Sequence, residues 1–343
     1  MTFVLAIFAL IVLCSIKRAP SDPAAALSVG HTQALKGVFV ITIFFSHFCS
    51  YITFNKWIDT PMQTYCHWLG QLMVAPFFFY SGYGIFESVQ KKGPHYIKNF
   101  PTKRILKTLL HFDLAVLLFL LYDLFLAPER LSATGILLSL FAWESIGNFN
   151  WFIFAIICVY LFSFLGLLIF KGDRFKSLIF TTIFCLIYMI IVSKLKDSYW
   201  VDTILAFPLG SSISLWKDKI IPYINKKWAI LSIISLMFLI AAQKHLFPNY
   251  LLCTQLALFS FSMLILLLSM RAILENKILS WCGLYVFDIY ILQRLPMNFG
   301  KYFHWNEQNP YLYFIFCFAT TILIAIIFHK TTKLIDSKLF KES

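Results

Sequence analysis

The chain has 343 residues, of which 60% are apolar and only 13% are charged. A soluble protein carries about 25% charged residues, and here the polar residues cluster between long apolar stretches, which indicates a polytopic membrane protein. The net charge of +13 is spread over short loops, a distribution that sets membrane topology and does not indicate a nucleic-acid partner.

Apolar stretches of membrane-spanning length predict an all-α, polytopic transmembrane helix bundle with eleven spans. The predicted spans lie at 2–16, 33–54, 68–87, 105–127, 150–170, 177–193, 199–216, 228–246, 250–270, 279–298 and 310–329. The segment 132–147 is apolar but contains Glu144 and Gly147, so we predict a short helix lying at or dipping into the outer face. A crossing there would invert the orientation of every later span.

The first apolar segment is short and precedes Ala24-Ala25-Ala26, which is similar to a signal-peptide cleavage site. No Lys or Arg precedes it, whereas Lys17 and Arg18 follow it, and this is the reverse of a signal peptide. We therefore predict an uncleaved helix with the N-terminus outside and the C-terminus in the cytoplasm. The loops assigned to the cytoplasm then carry most of the basic residues, as the positive-inside rule requires. Those assigned to the outside carry few: Lys56, Arg130, Lys194, Lys196, Lys244 and Lys301.

Ionisable side chains within lipid cost about 2.5–3.5 kcal/mol each on insertion scales, so they normally face the protein interior. Lys36 and Glu87 lie at span ends, where snorkelling explains them. His47 lies inside the run "VFVITIFFSHFCSY", about 16 Å along the helix from Lys36. A neutral imidazole is a general base at physiological pH, and the alternative is a packed histidine bonded to a neighbouring helix. The residues alone leave both interpretations open.

A basic cluster occupies the stretch "KNFPTKRILKTLLHFD". Pro101 predicts the start of a helix. On that helix Arg104, Lys107 and His111 share one face, which begins at the cytoplasmic end. Arg and Lys in such a position are natural phosphate ligands. Positive-inside signalling is the alternative, but it accounts less well for Lys107 and His111, which lie deeper.

The stretch "VFDIYILQRLPM" carries a mid-span carboxylate, Asp288. Pro296 is expected to kink or end this helix. Asp288 has two possible roles: neutralising a buried cation such as Arg294 or Lys107, or orienting His47. The sequence does not decide between them.

The eight cysteines form no CxxC pair, and most lie within apolar segments. This pattern favours small core residues over a disulfide framework or a metal site.

Five stretches occur in a characteristic order: "ALKGVFVITIFFSHF", "APFFFYSGYGIFES", "KRILK", "NWFIFAIICVY" and "FDIYILQRLPM". In this order the chain resembles the acyltransferase 3 family of bacterial integral membrane acyltransferases, over roughly residues 33–329. The matching features are a leucine–basic–glycine start with a later histidine, a phenylalanine-rich segment ending in Ser-Gly, a basic pair, and a Trp-Phe pair with a later Tyr. The residues that carry them are Leu35, Lys36, Gly37, His47, Phe77, Phe78, Phe79, Ser81, Gly82, Arg104, Lys107, Trp151, Phe152 and Tyr160.

The resemblance implies a ten-helix core, to which the first predicted helix is an addition. Residues 1–32 would form an N-terminal transmembrane helix and cytoplasmic linker, 33–329 an acyltransferase 3-like membrane domain, and 330–343 a cytoplasmic tail. The location implied is the bacterial cytoplasmic membrane. The reaction implied is transfer of an acetyl or other acyl group from acetyl-CoA or another acyl-CoA to a hydroxyl of a cell-surface glycan or related acceptor, without a metal.

The family's essential histidine falls on His47, and its first arginine falls on Arg104. Two positions depart from the family pattern. Lys107 replaces the second arginine, which keeps the charge but loses bidentate phosphate binding. Gln293 and Arg294 stand where many members have Tyr-x-x-His.

These residues predict a mechanism. Arg104, Lys107 and His111 would bind the phosphates of the acyl donor, and its pantetheine arm would reach toward His47. The catalytic residues would be His47, which removes the proton of the acceptor hydroxyl or accepts the acyl group itself, and Asp288. The alternative is a multi-pass transporter or exporter of a glycan or lipid intermediate, but the paired halves typical of transporters are not evident. A non-catalytic scaffold would leave His47 unexplained.

Overall fold

The computed structural model describes residues 1–54 and 57–340, and it is 81% helical. The helices, in chain order, are α1 (Thr2–Cys14), α2 (Val29–Cys49), α3 (Thr60–Leu69), α4 (Ala75–Lys92), α5 (Pro94–Phe100), α6 (Lys107–Leu126), α7 (Ala133–Leu140), α8 (Trp151–Ile169), α9 (Arg174–Val192), α10 (Ala206–Lys226), α11 (Trp228–Gln243), α12 (Tyr250–Ser269), α13 (Lys277–Leu284), α14 (Val286–Leu292), α15 (Arg294–Tyr302), α16 (Trp305–Gln308) and α17 (Pro310–Leu339). Short 3₁₀ turns lie at Pro23–Leu27, Trp57–Asp59, Gly70–Val74, Pro128–Arg130 and Ser198–Trp200. The protein is an all-α, multi-pass membrane protein.

Six of the described helices are long and apolar enough to cross a bilayer, and two bent pairs bring the number to eight. The six are α2, the continuous helix Pro94–Leu126, α8, α9, α12 and α17. The bent pairs are α10 with α11, at 91°, and α13 with Val286–Tyr302, at 66°. α1 has 13 residues, about 20 Å of helix, which is less than the hydrocarbon thickness of a bilayer. The count of ten core spans plus one stays a prediction.

Two predicted spans begin later than the apolar pattern indicates. The stretch 68–87 is the end of α3, the 3₁₀ turn Gly70–Val74 and then α4. The stretch 199–216 begins with the end of the 3₁₀ turn Ser198–Trp200 and further turns up to residue 205. α10 then runs to Lys226 across a non-helical residue, Trp216. Apolar composition marks what is buried, but it does not mark where the backbone turns.

The helix that carries Arg104 begins at Pro94 and not at Pro101 as predicted. Residues Pro101–Leu106 form a π-helical turn between α5 and α6. A proline inside an α-helix clashes with the carbonyl one turn earlier, and a wider turn is one way for the helix to continue past it.

The bend in the penultimate span lies at Tyr285 and not at Pro296. Pro296 lies in the first turn of α15, where its missing N–H is tolerated, and the break before it is at Gln293. Gln293 is fully buried, and its amide nitrogen donates to the carbonyl of Tyr290 at 3.0 Å. The side chain therefore satisfies a backbone acceptor at the break.

Glycines allow two helix pairs to approach closely. A Cβ on Gly37 would lie 1.9 Å from the carbonyl oxygen of Leu279, so α2 and α13 touch through backbone. A Cβ on Gly210 would lie 1.9 Å from the carbonyl oxygen of Phe79, which brings α10 against α4 in the same way. Small residues at crossings are how membrane helices pack without a hydrophobic driving force.

Loops that the charge pattern assigns to the cytoplasm contact one another. A two-stranded antiparallel sheet joins β1 (Ile16–Arg18) to β2 (Ala272–Leu274). Arg174 donates to Gln90 at 2.9 Å, and Arg271 donates to Asn225 at 2.6 Å. The small sheet is the one addition to an otherwise helical fold in the described part of the chain.

Loops that the charge pattern assigns to the outside likewise contact one another. The amino group of Met1 forms an ion pair with Asp59. Lys196 pairs with Glu144 at 2.7 Å, and the amide of Asn306 donates to the carbonyl of Tyr51 at 2.9 Å. The contacts therefore sort the loops into the same two groups as the charges do. Which group faces the cytoplasm stays a prediction.

The segment 132–147 contains no helix long enough to cross a bilayer, and its predicted position at the outer face stays a prediction. Its helix α7 has eight residues, and the chain that follows is held by polar contacts, including the amide of Asn150 bonded to the carbonyl of Ala142 at 2.8 Å. The predicted tail from residue 330 begins as a continuation of α17, which ends at Leu339.

Candidate active site

A cavity of about 380 Å³ lies within the bundle, between α2, α4, α8, α14 and the π-helical turn. Apolar side chains line most of it, together with two cations, Lys36 and Arg104. Its polar lining also includes the hydroxyls of Tyr80, Ser81 and Tyr290. A largely apolar cavity with a few convergent polar groups is the usual form of a small-molecule site.

The two cations of the cavity have no counter-ion. No carboxylate lines the cavity, and among residues 1–54 and 57–340 neither Lys36 nor Arg104 forms an ion pair. The hydroxyls of Tyr80 and Tyr290 are also buried without a hydrogen-bond partner in this part of the chain. Buried polar groups without partners are costly, so the cavity is suited to a ligand that carries negative charge and hydrogen-bonding groups.

Two polar side chains of the cavity, those of Lys36 and Ser81, are each followed in the sequence by a glycine at a helix crossing. Gly37 brings α2 against α13, and its neighbour Lys36 lines the cavity. Gly82 packs against the backbone of Phe207, since a Cβ there would lie 2.1 Å from its carbonyl oxygen. Ser81, next to it, lies 2.8 Å from the hydroxyl of Tyr160 across the cavity wall. In both motifs, the glycine sets the helix crossing and its neighbour faces the cavity.

The π-helical turn separates Arg104 from the other basic residues of its helix. Nε of Arg104 donates to the hydroxyl of Tyr96 at 3.2 Å, and the side chain lines the cavity. Lys107 and His111 do not line it. Because a π turn holds more residues than an α turn, the predicted single face of Arg104, Lys107 and His111 is not formed.

Lys107 and His111 both contact Asp336 on α17. The distances are 2.5 Å from Nζ of Lys107 to Oδ2, and 2.9 Å from Nε2 of His111 to Oδ1. These contacts join α6 to the C-terminal helix at the side of the bundle that carries the two-stranded sheet. A direct role of either residue in donor binding stays a prediction.

His47 lies in the last turn of α2, beyond the far end of the cavity. Its ring stacks on Phe149, with centroids 3.8 Å apart, and lies 6.2 Å from the ring of Tyr290, which lines the cavity. Nδ1 is buried and has no hydrogen-bond partner among the described residues. Within residues 1–54 and 57–340 no carboxylate forms a hydrogen bond or ion pair with His47, and the neighbouring ring of Tyr290 lines the cavity.

Arg294 lies close to His47, because both side chains contact the ring of Phe149. Its guanidinium carbon lies 3.8 Å from the centroid of Phe149, the ring on which His47 stacks. It lies 5.3 Å from the ring of Tyr51, and its Nε is buried without a hydrogen-bond partner in the described chain. The structure thus places the guanidinium of Arg294, on α15, near the imidazole of His47, on α2.

Asp288 is buried, and its partner is a histidine other than His47. Its Oδ2 lies 2.8 Å from Nδ1 of His329 on α17. Neither of the cations considered from the sequence, Arg294 or Lys107, forms an ion pair with it. The structure therefore places Asp288 in a contact between α14 and α17.

Sequence reasoning missed Lys36, Arg294 and His329 as site residues, and it assigned Glu87 to snorkelling. Glu87 is instead buried, accepting from Ser214 at 2.8 Å and pairing with Lys217 at 2.7 Å. The leucine–basic–glycine motif could have identified Lys36 as a site residue. The glycine beside it marks a helix crossing, so the lysine is directed into the bundle.

The fold and the cavity define a polytopic helical membrane protein with a positively charged ligand-binding site between its helices. The sequence model of the acyltransferase 3 family, described as an acyltransferase domain, matches residues 33–330. The chain belongs to this family, and it is a membrane acyltransferase. No curated protein and no solved structure matches the chain at a significant level. Family membership favours the enzyme over the transporter.

Proposed function

We propose that the protein transfers an acetyl or other acyl group from a cytoplasmic acyl-CoA to a hydroxyl of a cell-surface glycan or related acceptor. The observation that carries the proposal is the pair Lys36 and Arg104, two cations in one cavity that have no counter-ion among the described residues. The cavity ends at Tyr290, beside His47. CoA carries several negatively charged phosphates, and Lys36 and Arg104 can form charge-assisted hydrogen bonds with them. The location proposed is the bacterial cytoplasmic membrane.

The orientation proposed has the N-terminus outside and the side that carries β1 and β2 in the cytoplasm. Lys36 is then nearer the cytoplasmic side, and His47 lies about 16 Å further along α2, toward the outside. A donor whose phosphates bind at Lys36 and Arg104 would extend its thioester along the cavity toward His47. The acceptor hydroxyl would approach His47 from the outer face.

The chemistry proposed for His47 is acid–base or covalent. As a general base it takes the proton of the acceptor hydroxyl, the oxygen attacks the thioester carbonyl, and the proton passes to the departing thiolate. As a nucleophile its ring nitrogen attacks the thioester carbonyl, and the C–S bond breaks to release the CoA thiolate. The acceptor hydroxyl then attacks the acyl-imidazole, which frees the histidine, and the hydroxyl proton goes to the thiolate. In either route the oxyanion of the transition state needs a positive group, and the guanidinium of Arg294 is the proposed one.

Measuring the affinity for acetyl-CoA tests whether the donor binds in this cavity. The full-length protein in detergent is titrated with acetyl-CoA, and the affinities of Arg104→Ala, Lys36→Ala and Lys107→Ala are compared with that of the parent. Loss of one charge-assisted phosphate contact costs about 1.5–3 kcal/mol, so each cavity variant should bind roughly 10–100-fold more weakly. Lys107→Ala measures whether the residue paired with Asp336 belongs to the donor site.

Lys217→Ala is the matched control, because Lys217 is a cation that is paired with Glu87 outside the cavity. Its affinity for acetyl-CoA should equal that of the parent. Parental affinity in both Arg104→Ala and Lys36→Ala would refute donor binding in this cavity. The acceptor is identified separately, by mass spectrometry of surface glycans from cells with and without the protein, where an acyl ester should be missing.

A further inference from the structure

Two cysteines meet at the end of the helix that carries His47. The Sγ atoms of Cys49, in the last turn of α2, and of Cys66, in α3, lie 3.3 Å apart. The same two helices also touch through the hydroxyls of Thr42 and Tyr65, which lie 2.8 Å apart. Tyr65 is next to Cys66 in the sequence, and Thr42 lies about two helical turns before Cys49. The two helices are therefore held side by side at neighbouring positions, and the thiols face each other within that contact.

The distance between the two sulfurs is close to what a covalent bond requires. A disulfide has an S–S length of about 2.05 Å, so these atoms need to approach by only roughly 1.2 Å from their separation of 3.3 Å. No other pair of thiols in residues 1–54 and 57–340 lies within hydrogen-bonding distance. The other cysteines fit the expectation from the sequence that they are small packing residues.

The position of the pair favours oxidation. Cys49 lies on the same side of the bundle as Met1 and Asp59, which the charge pattern assigns to the outside. Both thiols are half-buried, so a reagent can reach them. Disulfides form and persist outside the cytoplasmic membrane, whereas thiols stay reduced within the cell.

We propose that Cys49 and Cys66 form a disulfide that fastens α3 to the last turn of α2, two residues from His47. This inference rests on the orientation given under Proposed function. The oxidant is a protein disulfide of the cell exterior, and the reaction is thiol–disulfide exchange. Each cysteine loses a proton and an electron as the S–S bond forms, and the disulfide of the oxidant is reduced to two thiols.

The bond has a structural consequence for the site. α3 has ten residues and follows the loop after α2, so without the bond it is held to α2 mainly by side-chain contacts such as Tyr65 to Thr42. A cross-link between positions 49 and 66 restricts the unfolded chain and stabilises the folded one. Reduction should therefore lower the unfolding temperature of the parent by several degrees but leave that of Cys66→Ser unchanged.

Sequential alkylation of intact cells tests the proposal. At harvest the cells are quenched with acid and their protein is denatured in excess N-ethylmaleimide, so that every free thiol is blocked, whether buried or exposed. The full-length protein is then purified, reduced and treated with iodoacetamide. Mass spectrometry should find the second label on Cys49 and Cys66 and the first on the other six cysteines, which are Cys14, Cys158, Cys185, Cys253, Cys282 and Cys317. Blocking at harvest excludes oxidation during purification. N-ethylmaleimide on both Cys49 and Cys66 would overturn the proposal.

Cys49→Ser leaves Cys66 free and separates this inference from the proposed orientation. A membrane-impermeant maleimide should then label Cys66 on intact cells. If Cys66 is labelled from outside but the parent holds no disulfide, the inference fails and the orientation stands. If Cys66 is labelled only after permeabilisation, the orientation fails, and the inference fails with it.

Discussion

Oδ2 of Asp288 lies 2.8 Å from Nδ1 of His329, and this contact joins α14 to α17. The carboxylate is almost fully buried, whereas about a third of the histidine side chain is exposed. Asp288 was expected from the sequence to act in catalysis. The contact with His329 suggests a second role for Asp288, which is to hold α14 and α17 together, and this role can be tested.

If Asp288 and His329 hold α14 and α17 together, Asp288→Ala and His329→Ala should have the same effect, because each removes one partner of the hydrogen bond. Each should lower the free energy of unfolding by about 1–3 kcal/mol, because a buried group loses its partner. The double variant should be no less stable than the worse single variant, since the two residues form one interaction. Thermal unfolding in detergent measures this. A fully additive loss in the double variant would show that the two side chains act independently.

His47→Gln tests the catalytic role of the imidazole. An amide keeps polarity but takes up no proton at neutral pH and forms no acyl intermediate. Removing a general base typically slows a reaction by about 10²–10⁴-fold, so acyl transfer should fall by that factor at equal membrane abundance. His111→Gln, beside Asp336 on the other side of the bundle, should lose less. Esterification of the acceptor near the parental level in His47→Gln would reduce the histidine to a packing residue.

The crossing at Gly37 should tolerate no side chain. In Gly37→Ala the new Cβ meets the carbonyl oxygen of Leu279 at 1.9 Å, so α2 and α13 must move apart. We expect a loss of about 1–3 kcal/mol in stability and weaker donor binding, because Lys36 moves with the helix. Gly30→Ala is the matched control on the same helix, since nothing lies within 4 Å of its Cβ. Equal unfolding temperatures for the two variants would contradict this packing.

The orientation is tested with single cysteines on a cysteine-free background. A membrane-impermeant maleimide added to intact cells should reach Gln308→Cys, at the end of the short helix α16 whose Asn306 contacts Tyr51. It should miss Lys92→Cys and Lys338→Cys until the cells are permeabilised. These positions are exposed, so access depends only on the side of the membrane. Lys341, an equivalent position at the C-terminus, lies outside the described residues. Labelling of position 338 from outside would invert the proposed topology.

Much of the architecture followed from the sequence. Apolar length and loop charge are local properties, and lipid imposes them directly, because a backbone in a bilayer must satisfy its own hydrogen bonds. They identified a helical membrane protein. They also divided its loops into two groups, and in the structure the loops of each group contact other loops of the same group. The order of short motifs identified the family, because each motif can be found without knowing how the helices pack.

Only the tertiary structure decided which polar residues meet. Arg104 and Lys107 are three residues apart, yet a π-helical turn directs one into the cavity and the other to Asp336. Lys36 looked like a residue at a span end until the crossing at Gly37 placed it in the cavity beside Arg104. Helix periodicity predicts which side chains share a face only while the helix is regular. The crossing of two helices depends on residues that are distant in the chain, so no local pattern specifies it.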